Sequence, residues 1–255
     1  MKFEILLSCM NQKDLSIAKE SNIKCSAIVI NQCNNNKIII KDKLTMINTE
    51  TRGLSKSRNL ALKNSEADIC LLSDDDEFFI DDVEHVILNM YKKIEDADVI
   101  IFKMKDRPKR LGNKIRKLNK YDLLKVSSWQ ISFKLKSIKD NNISFDEKLG
   151  AGTGNGAGEE NDFLWKCYSK KLKIYYVPVE IGTVAQKKST WFNGYTEEYF
   201  YNRGRTTRYI MGIKFAFLYG GYFLIFKHHI YKKNITLKKA FKSMLKGMQD
   251  KLWCA

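Results

Sequence analysis

The chain has 255 residues, 45 Lys plus Arg against 29 Asp plus Glu for a net charge of +16, 44% hydrophobic and 12% aromatic residues, and only 2 prolines. That composition can bury a sizeable core and excludes a disordered or collagen-like chain, and the length suits one large domain or one and a half. Six cysteines without a C-x-x-C pair, beside only 3 histidines, argue against a zinc site and for reduced thiols in a cytosolic protein.

Met1 to Cys9 is a short apolar run that carries Glu4 and lacks a small-residue cleavage site, so it reads as a strand rather than a signal peptide. Strand-like runs follow at Cys25 to Ile30, Ile38 to Ile40 with Thr45 to Ile47, Ile69 to Leu72 and Val99 to Phe102, rich in Ile, Val and Leu as strands buried on both faces are. Helical patterns lie between them at Ser55 to Ser65 and at Asp81 to Ile94, the latter with Val83, Val86, Ile87, Met90 and Ile94 on one face. This alternation predicts βαβ units and a mostly parallel sheet. Past Lys103 come a basic loop, an apolar stretch around Val126 to Leu135, the Gly-rich run Gly150 to Gly158, a helix from Glu160 to Ser169 and a strand from Leu172 to Val179.

Residues 201–255 carry 12 Lys or Arg and a single acid, Asp250, and so hold +11 of the net charge. They read as basic, amphipathic helices around the aromatic run Phe215 to Phe226, which at 12 residues falls short of the ~18 apolar residues of a membrane span. A second basic stretch, Lys103 to Lys125, holds ten Lys or Arg and two Asp. Both suit nucleic acid, anionic lipid or water.

Three clusters bear chemistry. Asp74-Asp75-Asp76-Glu77 directly follows an apolar strand, where an open α/β sheet binds its ligands, and four adjacent acids suit Mg²⁺ or Mn²⁺ with a substrate phosphate. The alternative is that Ser73 or Asp74 caps the following helix. Upstream, Arg52-Gly53-Leu54-Ser55-Lys56-Ser57-Arg58-Asn59 sets cations and a capping serine around a helix start, a setting for phosphate, though an ordinary capped helix has the same look. Glu159, Glu160 and Asp162 open another helix, where a carboxylate serves as a general base or merely favours the helix dipole. His85, His228 and His229 have no second ligand at metal spacing, and no strand leads into the Gly-rich run as a dinucleotide fingerprint requires.

Taken in order from Phe3 to about Ser189, these segments resemble the inverting glycosyltransferases of family 2. Arg52 to Asn59 is similar to that family's G-L-S-x-[AS]-R-N segment, Leu71 to Asp76 to its strand ending in D-x-D, and Glu159 to Pro178 to its E-D-x-x-L helix followed by K-I-x-Y-V-P. The resemblance implies a GT-A (Rossmann-like) α/β fold, a mostly parallel sheet flanked by helices, over residues 1–200, with residues 201–255 as a basic helical extension. It implies that Asp74 and Asp76 contact the ribose and a Mn²⁺ or Mg²⁺ ion, with Asp75 in the same cluster. Ser8, Asn11 and Asn31 would hold the nucleoside, Arg52, Ser55 and Arg58 the diphosphate, and Glu160 or Glu159 would be the base. The usual Asp at the second strand end is missing, and Gln186 stands where relatives often place a metal-binding His.

The expected activity is transfer of a sugar from a nucleotide-diphosphate donor, a UDP-sugar, to a glycan or lipid-linked glycan of surface polysaccharide, in the cytoplasm at the inner membrane face. Two rivals are a basic nucleic-acid-binding protein and an inactive GT-A scaffold. Against the first, the chain has no nucleic-acid module and its acid cluster would repel a phosphate backbone, so nucleic acid is not an expected partner.

Overall fold

The computed structural model describes residues 1–105, 111–153, 158–185 and 194–250. Two compact units emerge, Met1–Lys187 and Lys188–Ala255.

The first unit runs β1 (Phe3–Met10), α1 (Ser16–Glu20), β2 (Ala27–Gln32), β3 (Lys37–Lys41), β4 (Leu44–Thr49), α2 (Leu54–Asn64), β5 (Ile69–Asp74), β6 (Glu77–Phe79), α3 (Val83–Lys93), β7 (Val99–Lys103), β8 (Arg116–Lys117), β9 (Ile131–Lys134), α4 (Leu135–Asp140), α5 (Glu159–Ser169), β10 (Ile174–Glu180) and β11 (Gly182–Val184). Among the described residues nine strands form one sheet in the order β3-β4-β2-β1-β5-β9-β7-β10-β8, and β11 pairs with β6 in a small second one. β4, β2, β1, β5, β7 and β10 point the same way, while β3, β8 and β9 oppose them. The sheet is thus mostly parallel and its central strands are buried on both faces. One core holds Ile5, Leu7, Val29, Leu71 and Ile87, the other Leu6, Ile28, Leu72, Phe133 and Phe163.

The apolar stretch near Val126 to Leu135 contains a strand without a clear sequence signal, β9, which enters antiparallel between β5 and β7. Ser73 and Asp74 do not cap the helix that follows the acids, since β6 intervenes and α3 starts only at Val83 after Asp82. Ser55 is not a cap either: Gly53 holds that position, and the buried Ser55 Oγ donates to the Leu149 carbonyl at 2.6 Å. Cys9, Cys25, Cys33, Cys70 and Cys167 are buried free thiols, and Cys254 lies outside the described residues.

Among the described residues the second unit holds α6 (Glu197–Phe226), α7 (His228–Tyr231) and α8 (Leu237–Gln249). Its start at Lys188 precedes the 200/201 boundary read from the sequence, which falls within α6. Thr196 caps α6 by accepting from the Tyr199 amide at 3.2 Å. At Gly212 the helix is broken, with φ 77° and ψ 166°, a left-handed conformation open to glycine. Phe200, Ala216, Phe223, Tyr231, Ala240 and Met244 make a small core. The Arg203 guanidinium stacks over Phe223 at 4.2 Å and Tyr219 at 5.2 Å.

α6 and α8 cross backbone to backbone at Gly204, where an added Cβ would meet the Met244 carbonyl oxygen at 2.2 Å. Alanine normally favours a helix over glycine by ~1 kcal/mol, but overpacking costs about 1–3 kcal/mol and a backbone carbonyl has nowhere to retreat. Gly204→Ala should therefore lower the thermal midpoint of the C-terminal helices, whereas Gly221→Ala, whose Cβ would meet nothing within 4 Å, should raise it slightly. Thermal unfolding followed by circular dichroism reads both signs.

Candidate active site

The parallel strands end together. Ser8 is opposite Asp74 across β1 and β5, and Asn31 is opposite Cys9 on one side and Asn48 on the other, so the residues expected to surround a ligand share one edge of the sheet. Asn31 is fully buried. Its Oδ1 accepts from the Gln12 amide at 2.9 Å, and its Nδ2 donates to the Gln12 carbonyl at 2.8 Å and to Asn48 Oδ1 at 2.9 Å. Asn48 in turn donates to Asn35 Oδ1 at 2.8 Å. Ser8 accepts from Ser57 Oγ at 2.8 Å, and Asn11 is exposed in the left-handed region at φ 53°.

The centre of the site is Arg58, only 1% exposed. One terminal nitrogen donates to Glu159 Oε1 at 3.0 Å, and the other reaches both Asp74 oxygens at 3.0 and 3.2 Å. Burial works against its charge, yet Asp74, Glu159 and Glu160 outweigh burial and hold the guanidinium above its ordinary pKa. Arg58 Nε and Glu159 Oε2 have no hydrogen-bond partner among the described residues. The neighbouring Asn59 clamps the chain from the other side, donating to the Phe145 carbonyl and accepting from the Phe145 amide, each at 2.9 Å. Phe145 stacks on Phe163 of α5 at 4.4 Å and lies 5.4 Å under the Arg58 guanidinium.

Arg58 is thus enclosed as a brace between β5 and α5, not presented to a diphosphate. Arg52 is engaged as well, donating to the Cys33 carbonyl at 2.9 Å, the Thr49 carbonyl at 3.2 Å and Asn34 Oδ1 at 2.6 Å. Lys56, one turn into the site from Gly53, is exposed.

Among the acids, Asp74 also accepts from Ser128 Oγ at 3.0 Å, while Asp75 and Asp76 are half-buried at the turn after β5. Glu77 is buried and accepts from the Asp74 amide at 3.1 Å; burial, then the Asp74 charge, push its carboxyl well above the usual range. Glu159 is buried against Arg58, and Glu160 beside it is half-buried. Burial and the adjacent Glu159 push the Glu160 carboxyl up to about 8.

No group of three or more His, Cys, Asp or Glu is placed to hold a metal among the described residues. Mg²⁺ seldom needs such a cage, since one or two carboxylates and substrate phosphates complete its shell. Asp75 and Asp76, half-buried at the turn after β5, are two carboxylates of the kind such a shell uses. Asp74, expected to share the ion, is instead committed to Arg58 and Ser128. Gln186 lies outside the described residues, as do 154–157 of the Gly-rich run and 106–110 of the basic loop. Two further cations of that loop, Arg116 and Lys125, are paired with Asp122 at 2.7 and 3.1 Å.

Ser128 and Asn48 carry no signal of this role in the sequence. What the sequence does mark is the short helix Ser128–Gln130 that presents Ser128, for Ser127 and Gln130 form a capping box around it.

No family model matches the chain, and no curated protein does. Among solved structures it is similar to the S. aureus TarS fragment 1–349 in complex with UDP-GlcNAc, at 18% identity and TM-score 0.62, over 81% of this chain and 66% of that one. The same fragment with UDP gives 16% identity and TM-score 0.64 over 98% of this chain and 81% of that one. The fold is GT-A. The GT-A likeness extends to the mannosyltransferase PcManGT from Pyrobaculum calidifontis in complex with GDP-Man and Mn²⁺, at 12% identity and TM-score 0.54 over 97% of this chain and 74% of that one. The chain spans half the length of full TarS.

Removing the brace should leave two buried or half-buried carboxylates facing one another. Breaking a buried ion pair from one side costs about 3–5 kcal/mol. Arg58→Met should accordingly destabilise the first unit by that order, and Arg58→Met with Glu159→Gln should recover part of the loss. A double-mutant cycle from urea unfolding measures the coupling.

Proposed function

We propose that the chain is an inverting glycosyltransferase that moves a sugar from a nucleotide-diphosphate donor, a UDP-sugar, to a hydroxyl of a glycan or lipid-linked glycan in surface polysaccharide synthesis. The observation that carries this reading is the unequal fate of two adjacent glutamates on a GT-A sheet edge. Glu159 is consumed by Arg58, while Glu160 lies outside that pair with a pKa lifted toward neutrality. A carboxylate so tuned is a strong enough base to accept a hydroxyl proton.

In this reading Ser8, Asn11 and the Asn31–Asn48 pair line the nucleoside side, and Lys56 faces the phosphates. A divalent cation held by Asp76 with Asp75 supplies, when bound, positive charge for the diphosphate. Asp74 acts at one remove, since its tie to Arg58 sets the distance between the acid turn and α5. Glu160 takes the proton of the acceptor hydroxyl as that oxygen attacks the anomeric carbon. The bond from that carbon to the phosphate oxygen breaks on the opposite face, the diphosphate leaves with the electron pair, and the configuration inverts. The reading places this reaction in the cytoplasm, at the inner face of the cell membrane where a lipid-linked acceptor is met.

Glu160→Gln should reduce turnover about 10²-fold or more while donor affinity stays within a few fold, because a general base acts in the transition state. Loss of turnover in Glu159→Gln without loss of stability, and none in Glu160→Gln, would reverse their roles. The acid is inactive as a base when protonated, so kcat/KM should climb with pH and level off only above about 8. A flat profile from pH 6 to 9 counts against Glu160.

Binding to the native state raises its stability by mass action, so UDP with Mn²⁺ should raise the thermal midpoint more than UDP alone. Asp76→Ala should erase the difference. Equal shifts with and without the ion in the parent chain would remove the cation from the proposal.

A further inference from the structure

The half of α6 beyond Gly212 has two unlike faces. Ala216, Gly220, Phe223 and Leu224 are buried in the core of the second unit. Ile213, Phe217, Leu218, Tyr222, Ile225 and Phe226 recur at helical spacing on the opposite side and are exposed, Leu218 to 72% and Ile225 to 67%. On α8, Leu237 and Phe241 are exposed one turn apart, while Ala240, Met244 and Met248 face inward. Contiguous apolar surface of this kind marks an interface.

The charge around it selects the partner. From Gly212 to Gln249 there are eight lysines and no acid. Each Lys near an anionic bilayer contributes on the order of 1 kcal/mol, and aromatic rings settle at the headgroup level. A protein surface rich in acids would match the lysines but leave Leu218, Ile225 and Phe226 without an apolar medium.

By length and composition α6 as a whole is long and apolar enough to cross a membrane. Its construction opposes that. The left-handed break at Gly212 interrupts the backbone hydrogen bonding that a span requires, and the stretch beyond it rises only about 21 Å at ~1.5 Å per residue, against a hydrocarbon core of ~30 Å. The preceding half carries Arg203, Arg205 and Arg208.

We infer that the second half of α6 lies in the plane of an anionic lipid surface, inserting Phe217, Leu218, Ile225 and Phe226 while the lysines of α8 and the α7–α8 connection, among them Lys232 and Lys233, contact headgroups. This attachment stands on the second unit alone and holds whether or not the first unit transfers sugar.

Sedimentation of the full chain with vesicles tests it. The chain should sediment with phosphatidylglycerol–phosphatidylcholine vesicles and not with phosphatidylcholine alone, and high salt should release it. Leu218→Glu with Ile225→Glu should weaken binding at least about tenfold, since it removes two inserting side chains and adds two like charges. Lys232→Glu with Lys233→Glu, which leaves the apolar face untouched, should do the same. Circular dichroism confirms that both variants stay folded. Absence of sedimentation with the anionic vesicles overturns the inference. So does sedimentation that survives high salt, the mark of a spanning helix, and so does a dimer in light scattering that Leu218→Glu with Ile225→Glu converts to a monomer.

Discussion

Arg58 is the constraint on which the site rests. A guanidinium cannot shed its proton inside a protein, so once α2 buries it the fold must bring carboxylates to it. It takes one from the end of β5 and one from the start of α5. Asp74 at the end of β5 and Glu159 at the start of α5 are 85 positions apart in the chain, and neither element is fixed to the other by a shared strand pairing. The ion triad therefore sets the spacing across which any substrate must be held. A triad of one cation and two anions also leaves the site net negative, and with Asp75 and Asp76 added the imbalance grows. That surplus is the physical argument for a cation arriving with an anionic ligand.

Much of the first unit was legible because buried parallel strands write themselves as Ile, Val and Leu runs. β1, β2, β5 and β7 begin within two residues of where those runs do. β9 was not, for Ile131-Ser132-Phe133-Lys134 is too short to show a period, and only its neighbours β5 and β7 make it a strand. At the site, the acid turn and the paired glutamates stood out as residue types, whereas their partners did not. Sequence placed Arg58 near a phosphate by virtue of its charge. Its burial depends on Phe145 and the Asn59 clamp, contacts across more than eighty residues. Likewise Ser55 looked like a helix cap, and only the approach of Leu149 shows that its hydroxyl is used elsewhere.

The second unit obeys other rules. It has little core, and its helices come together where glycine lets backbones touch. Arg203, set among Tyr199, Tyr219 and Phe223, gives that core a charged centre held by ring faces and by the Tyr199 and Tyr219 hydroxyls. The acid count is what separates it from the first unit. Nearly all the carboxylates of the chain lie before residue 200, so the net charge of the whole is largely a property of its last quarter.

The insertion of β9 bears on how the chain can be made. Strands β1 to β5 can pair among themselves as they leave the ribosome, β3 once β4 has followed it. β7 cannot join them, because its place is one strand removed from β5 and the strand between is not yet synthesised. At ~5–20 residues per second, the 56 residues from Asp75 to Gln130 take roughly 3 to 11 seconds to emerge. Throughout that interval the β5 edge, apolar and unpaired, is open to any strand that meets it. The architecture thus places its greatest exposure to misassembly midway through translation, and makes the arrival of four residues, Ile131 to Lys134, the event that ends it.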